Sequence, residues 1–226
     1  LLAQLLPGRA EFGGIVTNFA GEIERAGVTV RTRAAATASA IRAAKPDAVV
    51  IATGATPDVP EIEGREAAHV VDAWRVLRNE ANVGSSVVIA DWRGDWIGVG
   101  LAEKLAREGR RVRLTTVGMA AGLNLQWYIR DQWVGELGKL GVQITPYARL
   151  YGVDESTVYC QHTVTNEPIV LADTDTLVLA YGHASESRLE AELDGYEGEV
   201  HVIGDARSPR TVEEAVLEGL KVATAL

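Results

Sequence analysis

Four short apolar runs constrain the fold of this chain more than any other feature. They are Ala48–Ala52 (AVVIA), Ser85–Ala90 (SSVVIA), Thr176–Ala180 (TLVLA) and Val200–Ile203 (VHVI). Largely apolar runs of this length, continuous in AVVIA, suit strands buried on both faces of a parallel sheet, which must then carry helices on its faces. Three of the runs exit into glycine turns, at Gly54, Gly182 and Gly204, and the fourth into the loop Asp91–Gly98 and a helix through Arg107. Glycine lets backbone approach a ligand, and a helix N-terminus offers free N–H groups to phosphate. The pattern predicts an α/β, Rossmann-like chain with ligand-bearing turns at the C-terminal ends of its strands.

The intervening segments fill in the layers. Glu11–Ala26 has Ile15, Val16, Phe19 and Ile23 at helical spacing and stops at Gly27, and Ala34–Ala44 reads as a second helix. Leu1–Gly8 reads as a loop or a turn of helix, and Asp58–Ala68 as a crossing loop. Val28–Thr32, Arg111–Thr116 and Val142–Thr145 read as strands, and Val70–Asn79 and Ser187–Leu193 as short helices. Leu125–Leu140 reads as a helix with Trp127, Ile129, Trp133 and Leu137 on its apolar side. Arg149–Val153, Ser156–His162 and Pro168–Leu171 read as antiparallel strands. The expected organisation is a central parallel sheet of Val28–Thr32, Ala48–Ala52 and Val200–Ile203 in residues 1–84 and 173–226. A Rossmann-like subdomain is inserted at 85–172.

Composition excludes several classes. A net charge of −9 argues against a nucleic-acid surface, which needs clustered Lys and Arg. No run of 18 apolar residues is present, so no membrane helix is expected. The single cysteine, Cys160, rules out an intrachain disulfide and points to a reducing, cytoplasmic setting. Cys160 itself reads as a small buried hydrophobe. His69, His162, His183 and His201 show no metal spacing, so no metal site is expected. The chain begins without Met, as a natural fragment or a trimmed chain would, and a truncated sheet edge predicts self-association.

The segments KPDAVVIATGATP (Lys45–Pro57), VVIADWRGDWIGVGLAEKLAREGRRVRL (Val87–Leu114), ADTDTLVLAYGHAS (Ala172–Ser185) and VHVIGDARSPRTVEEAVLEG (Val200–Gly219) cover nearly the whole sequence. Together they resemble the C-terminal FAD/NAD(P)-binding region of the NADH:flavin oxidoreductases related to old yellow enzyme. That group includes 2,4-dienoyl-CoA reductase, trimethylamine dehydrogenase, histamine dehydrogenase and N-methylproline-type demethylases. The resemblance implies that Gly204 and Asp205 face the pyrophosphate and sugar of a flavin dinucleotide. It lays Ala52, Thr53 and Gly54 along the same cofactor and brings Arg210 and Thr211 near the flavin end. Gly182, Asp91, Gly94 and Gly98 are the other implied cofactor contacts. The implied cofactors are FAD, or ADP alone, and NAD(P)H. FMN and an iron–sulfur cluster are implied only for a preceding barrel region, because one cysteine cannot ligate a four-iron cluster. That barrel region of the same protein is the implied partner.

Two departures stand against the pattern. The family's first strand and its G-x-G-x-x-G are absent. In the second nucleotide region Gly94, Gly98 and Gly100 do not spell the motif either. If Gly98 is its third glycine, the first two places fall on Arg93 and Asp95. Asp95 would set negative charge where a pyrophosphate should lie, and the next strand ends in Thr115-Thr116 with no acid for a ribose hydroxyl. Arg110, Arg111 and Arg113 read as a 2′-phosphate contact or as a solvated basic face. Trp92 and Trp96 flank the loop and either plug it or stack on an adenine. Two functions follow. One is the electron-transfer portion of a multidomain flavin oxidoreductase, inactive by itself and with no catalytic residue assigned. The other is a non-catalytic, degenerate nucleotide-binding or interaction domain.

Overall fold

The computed structural model describes residues 2–226; Leu1, the first residue of the segment read as a loop or helix turn, lies outside them. In chain order the helices are α1 (Gly13–Arg25), α2 (Ala38–Ala44), α3 (Ala73–Leu77), α4 (Trp96–Arg107), α5 (Trp127–Lys139), α6 (Arg188–Glu192) and α7 (Val212–Ala225). The strands are β1 (Ala48–Ile51), β2 (Ala55–Pro57), β3 (Val70–Asp72), β4 (Ser86–Asp91), β5 (Arg111–Thr116), β6 (Gln143–Thr145), β7 (Ala148–Val153), β8 (Val158–His162), β9 (Pro168–Leu171), β10 (Thr176–Ala180), β11 (His183–Ser185) and β12 (Glu199–Val202). The α/β, Rossmann-like class read from the sequence is the observed one. The chain divides into two units, one of Leu1–Ala26 and Val59–Gly182 and the other of Gly27–Asp58 and His183–Leu226.

The first unit is three-layered. Its parallel sheet runs β3-β10-β4-β5-β6. Alternation along β4 sorts the layers: Val87 and Ile89 face Val99, Leu101 and Leu105 of α4 and Leu137 of α5. Val88 and Ala90 face the opposite way, onto Leu150, Val153, Val158 and Cys160 of the antiparallel sheet β7-β8-β9. Period-two alternation explains why a wholly apolar strand is needed here. Burial pushes the Cys160 thiol up to about 12, so it stays protonated and packs as a small hydrophobe. Gly64 passes so close to the Val153 carbonyl that a Cβ would lie 1.9 Å from the oxygen, which docks the crossing loop against β7.

The second unit is smaller. β1 and β12 pair in parallel from Ala48↔Glu199 to Ile51↔Val202, and β2 pairs antiparallel with β11. Its core is Ile51, Leu193 and Ala206, covered by Ile41 of α2, Leu189 and Tyr196. The Tyr196 hydroxyl donates to the Pro46 carbonyl at 2.6 Å, and Arg42 donates to the Asp194 carbonyl at 2.9 Å.

Several sequence expectations are corrected. Val28–Thr32 forms no strand: the V-x-V alternation is present, but no neighbouring strand offers it a ladder. Val70–Asn79 is not one helix. Val70–Asp72 joins the parallel sheet beside β10, and Asp72 then caps α3 by accepting from the N–H groups of Trp74 and Arg75 at 2.9 and 3.0 Å. Residues 59–84 and 173–182, expected with the β1 sheet, lie in the first unit, because β3 and β10 pair there beside β4. Trp127 is 69% exposed and only Trp133 and Leu137 of the predicted apolar side of α5 are buried. Among the described residues no helix is long and apolar enough to cross a membrane.

Candidate functional site

In the second unit the pairing of β1 with β12 brings two turns to one place. The Ile203 N–H donates to the Ile51 carbonyl at 3.0 Å, so Ala52–Gly54 and Gly204–Asp205 leave the sheet side by side. Both glycines take left-handed backbone, φ +79° at Gly54 and +61° at Gly204, a conformation open to glycine at little cost. At Gly54 nothing lies within 4 Å of where a Cβ would stand. The turn is a cradle with open space over it. It is tied down from behind: the Thr53 hydroxyl donates to the Glu186 carbonyl, and the Glu186 N–H donates to the Gly54 carbonyl at 3.0 Å.

Gly204–Ala206 is a single 3-10 turn. The Gly204 N–H donates to Glu218 Oε2 at 2.7 Å, and the Arg210 guanidinium pairs with Glu218 Oε1 while Arg207 lies 3.6 Å from it. Arg210 foremost, then the Gly204 N–H, holds the Glu218 carboxyl below the usual carboxylate range. Asp205 is half-buried, and its Oδ1 accepts the Arg210 N–H at 3.3 Å. Among the described residues nothing bonds its other oxygen, which is left to accept from a ligand hydroxyl. Thr211 starts α7 in a capping box, its N–H donating to Glu214 at 3.1 Å. Glu218 was not among the sequence candidates. Its partner Gly204 is 14 residues away, and no local spacing signals the pair.

Asp91, Gly94, Gly98 and Gly182 belong to the first unit. Asp91 ends β4 and is 2% exposed. Its Oδ1 accepts the Gly94 N–H at 2.9 Å, while Oδ2 is buried without a hydrogen bond. That half of the carboxyl lies on Gly98, where a Cβ would come within 2.5 Å of it. Burial pushes Asp91 up to about 7, with the Gly94 N–H pulling the other way. Asp95 caps α4 by accepting the Ile97 N–H at 2.9 Å, and lies 3.5 Å from Arg93. The Arg93 stem covers Gly182, and Trp92 stacks on Tyr181 with centroids 5.6 Å apart. Asp91, Gly94 and Gly98 thus face one another. Arg110, Arg111 and Arg113 are not near the end of β5, and only Arg111 is exposed. They sit at its start, where they bind the carbonyls of Val83, Gly84, Ala172 and Asp173. Among the described residues no group of three or more His, Cys, Asp or Glu can hold a metal ion.

No family model matches the chain. It is 27% identical over 225 residues to an NADH oxidase of Thermoanaerobacter brockii, covering 98% of this chain and 34% of that protein. It is 36% identical over 155 residues to a probable N-methylproline demethylase of Rhizobium meliloti (strain 1021), covering 66% of this chain and 22% of that protein. A solved 2-naphthoyl-CoA reductase in complex with 2-naphthoyl-CoA shares the fold with a TM-score of 0.89 and 24% identity, over 100% of this chain and 34% of that one. The motif resemblance therefore holds: the chain is related to these oxidoreductases, and it spans about a third of the length of the first of them.

Proposed function

We propose that this chain is the nucleotide-binding, electron-transfer portion of a multidomain flavin-dependent oxidoreductase of the dienoyl-CoA reductase or amine dehydrogenase/demethylase type. The observation that carries this reading is the pair of turns at the ends of β1 and β12. Gly54 leaves an open cradle, and beside it Asp205 keeps one carboxylate oxygen free. Gly54 and Asp205 fit the sugar and phosphate portion of FAD, or ADP alone, while the Gly204 N–H is already taken by Glu218 and is not offered to the ligand. In this reading the second unit is an incomplete FAD-binding-type domain and the first an NAD(P)-binding-like one. Bound flavin supplies the redox chemistry. The protein's part is to hold and orient it: Ala52–Gly54 by backbone contact, Asp205 by accepting a cofactor hydroxyl, and Glu218 by fixing the Gly204 turn from behind.

Exposed apolar residues on α1 (Ile15, Val16, Phe19, Ile23) and on α7 (Val212, Val216, Leu217, Leu220) support a protein partner. We assign that role to the remaining part of the same longer protein, with self-association of the isolated chain as the consequence. A second reading, a nucleotide-binding domain without turnover, is favoured by one observation: the turn after β4 is filled by the chain's own carboxyls.

The test is bound flavin per chain in the longer protein. A charge-assisted hydrogen bond is worth about 1.5–3 kcal/mol, so Asp205→Ala weakens flavin retention roughly 10- to 150-fold, with the fold intact by circular dichroism. Asp205→Asn costs less, because its amide oxygen still accepts. Equal flavin occupancy in wild type and both variants retires the assignment.

A further inference from the structure

We infer that the turn after β4 is closed to the pyrophosphate of a dinucleotide, so that neither NAD(H) nor NADP(H) is held there. A phosphate at the end of a parallel strand needs unpaired N–H groups at the following helix and a glycine whose missing side chain lets it approach. One N–H of the turn, one at the head of α4 and the space over the helix glycine are all taken internally. The Gly94 N–H is taken by Asp91 Oδ1 at 2.9 Å, and the Ile97 N–H at the head of α4 by Asp95 Oδ1 at 2.9 Å. The space over Gly98 is filled by the Asp91 carboxyl itself, 2.5 Å from where a Cβ would stand. Asp91 is 2% exposed and Oδ2 has no partner, so the carboxyl is packed in as filler and offers nothing to a ligand.

Charge and the neighbouring strand act in the same direction. Asp95 would repel a pyrophosphate, and Arg93 already lies 3.5 Å from that same carboxylate. A dinucleotide's adenosine ribose calls for a carboxylate at the end of the next strand, or a cation for a 2′-phosphate. β5 ends in Thr115 and Thr116, both buried, whose hydroxyls donate to the Ile89 and Gly118 carbonyls. The three arginines of that strand region hold backbone at its opposite end. What the turn leaves accessible is the ring of Trp92, 48% exposed and backed by Tyr181. A nicotinamide nucleotide that exchanges electrons with the longer protein therefore binds elsewhere.

This inference does not rest on the flavin reading, and one experiment separates the two. NADH, NADPH and ADP-ribose are titrated calorimetrically into wild type, Trp92→Ala, Arg93→Glu and Asp205→Ala, each checked for native circular dichroism. Trp92 and Arg93 flank the turn and neither is buried. Closure predicts that wild type, Trp92→Ala and Arg93→Glu give the same isotherm, whether they all bind at the second unit or none binds. A loss of about tenfold or more in either turn variant overturns it. A loss confined to Asp205→Ala leaves closure standing and speaks to the flavin-type site alone.

Discussion

At the end of β1 the chain leaves room over Gly54, whereas at the end of β4 it fills the room with its own side chain. Both places have the same outline, an apolar parallel strand running into a turn with left-handed glycine backbone. Above Gly54 there is open space; above Gly98 there is the carboxyl of Asp91. The lesson is that a glycine turn after a parallel strand is a necessary part of a phosphate site and an insufficient one. The missing Cβ has value to a ligand only if the protein does not occupy the space itself.

The largest effect that sharpens this contrast is electrostatic. An acid whose carboxyl titrates near 7 in the native state keeps a proton that the unfolded chain releases around its ordinary value of 3.8. The stability it contributes is full below about pH 4 and is lost as pH rises to about 7, on the order of 4 kcal/mol in all. In urea denaturation, wild type is therefore expected to weaken across that window, and Asp91→Asn to flatten the profile. An equally sloped profile in the variant would mean that Asp91 is not the buried filler described. Next in size is Gly98→Ala, whose methyl must displace the buried carboxyl. Overpacking of this kind costs roughly 1–3 kcal/mol, read as a lower denaturation midpoint. Gly54→Ala meets no neighbour and pays only for left-handed backbone, about 1 kcal/mol. If Gly98→Ala proved the milder of the two, the turn after β4 would have slack and the contrast would fail.

How much of this could be read from the sequence follows from where each signal lives. All four runs AVVIA, SSVVIA, TLVLA and VHVI form strands, but only SSVVIA and TLVLA are covered on both faces. Val50 of AVVIA is exposed and VHVI is half-buried, because the two-stranded sheet of the second unit has too few neighbours to cover both faces. The motif spacing through Gly98 places Asp95 beside the turn, and the structure finds it there as the cap of α4. Other features had no local signature. Val70–Asp72 is too short to show a period and merges in sequence with the helix that Asp72 caps. Val28–Thr32 has the alternation of a strand, but pairing depends on a partner that sequence alone does not supply. The place of β10 between β3 and β4 is a matter of topology, invisible in TLVLA itself. Glu218 and the arginines at the start of β5 act on backbone groups distant in sequence, and no spacing rule reaches them.

The most direct test of the contrast is residue by residue. In a ¹H–¹⁵N correlation spectrum of the chain titrated with ADP, the portion common to FAD and ADP, the glycine amides report each turn separately. The account predicts saturable shifts at Gly54, Gly204 and Asp205, with Gly94 and Gly98 unmoved. Shifts at Gly94 and Gly98 with Gly54 and Gly204 silent would contradict it.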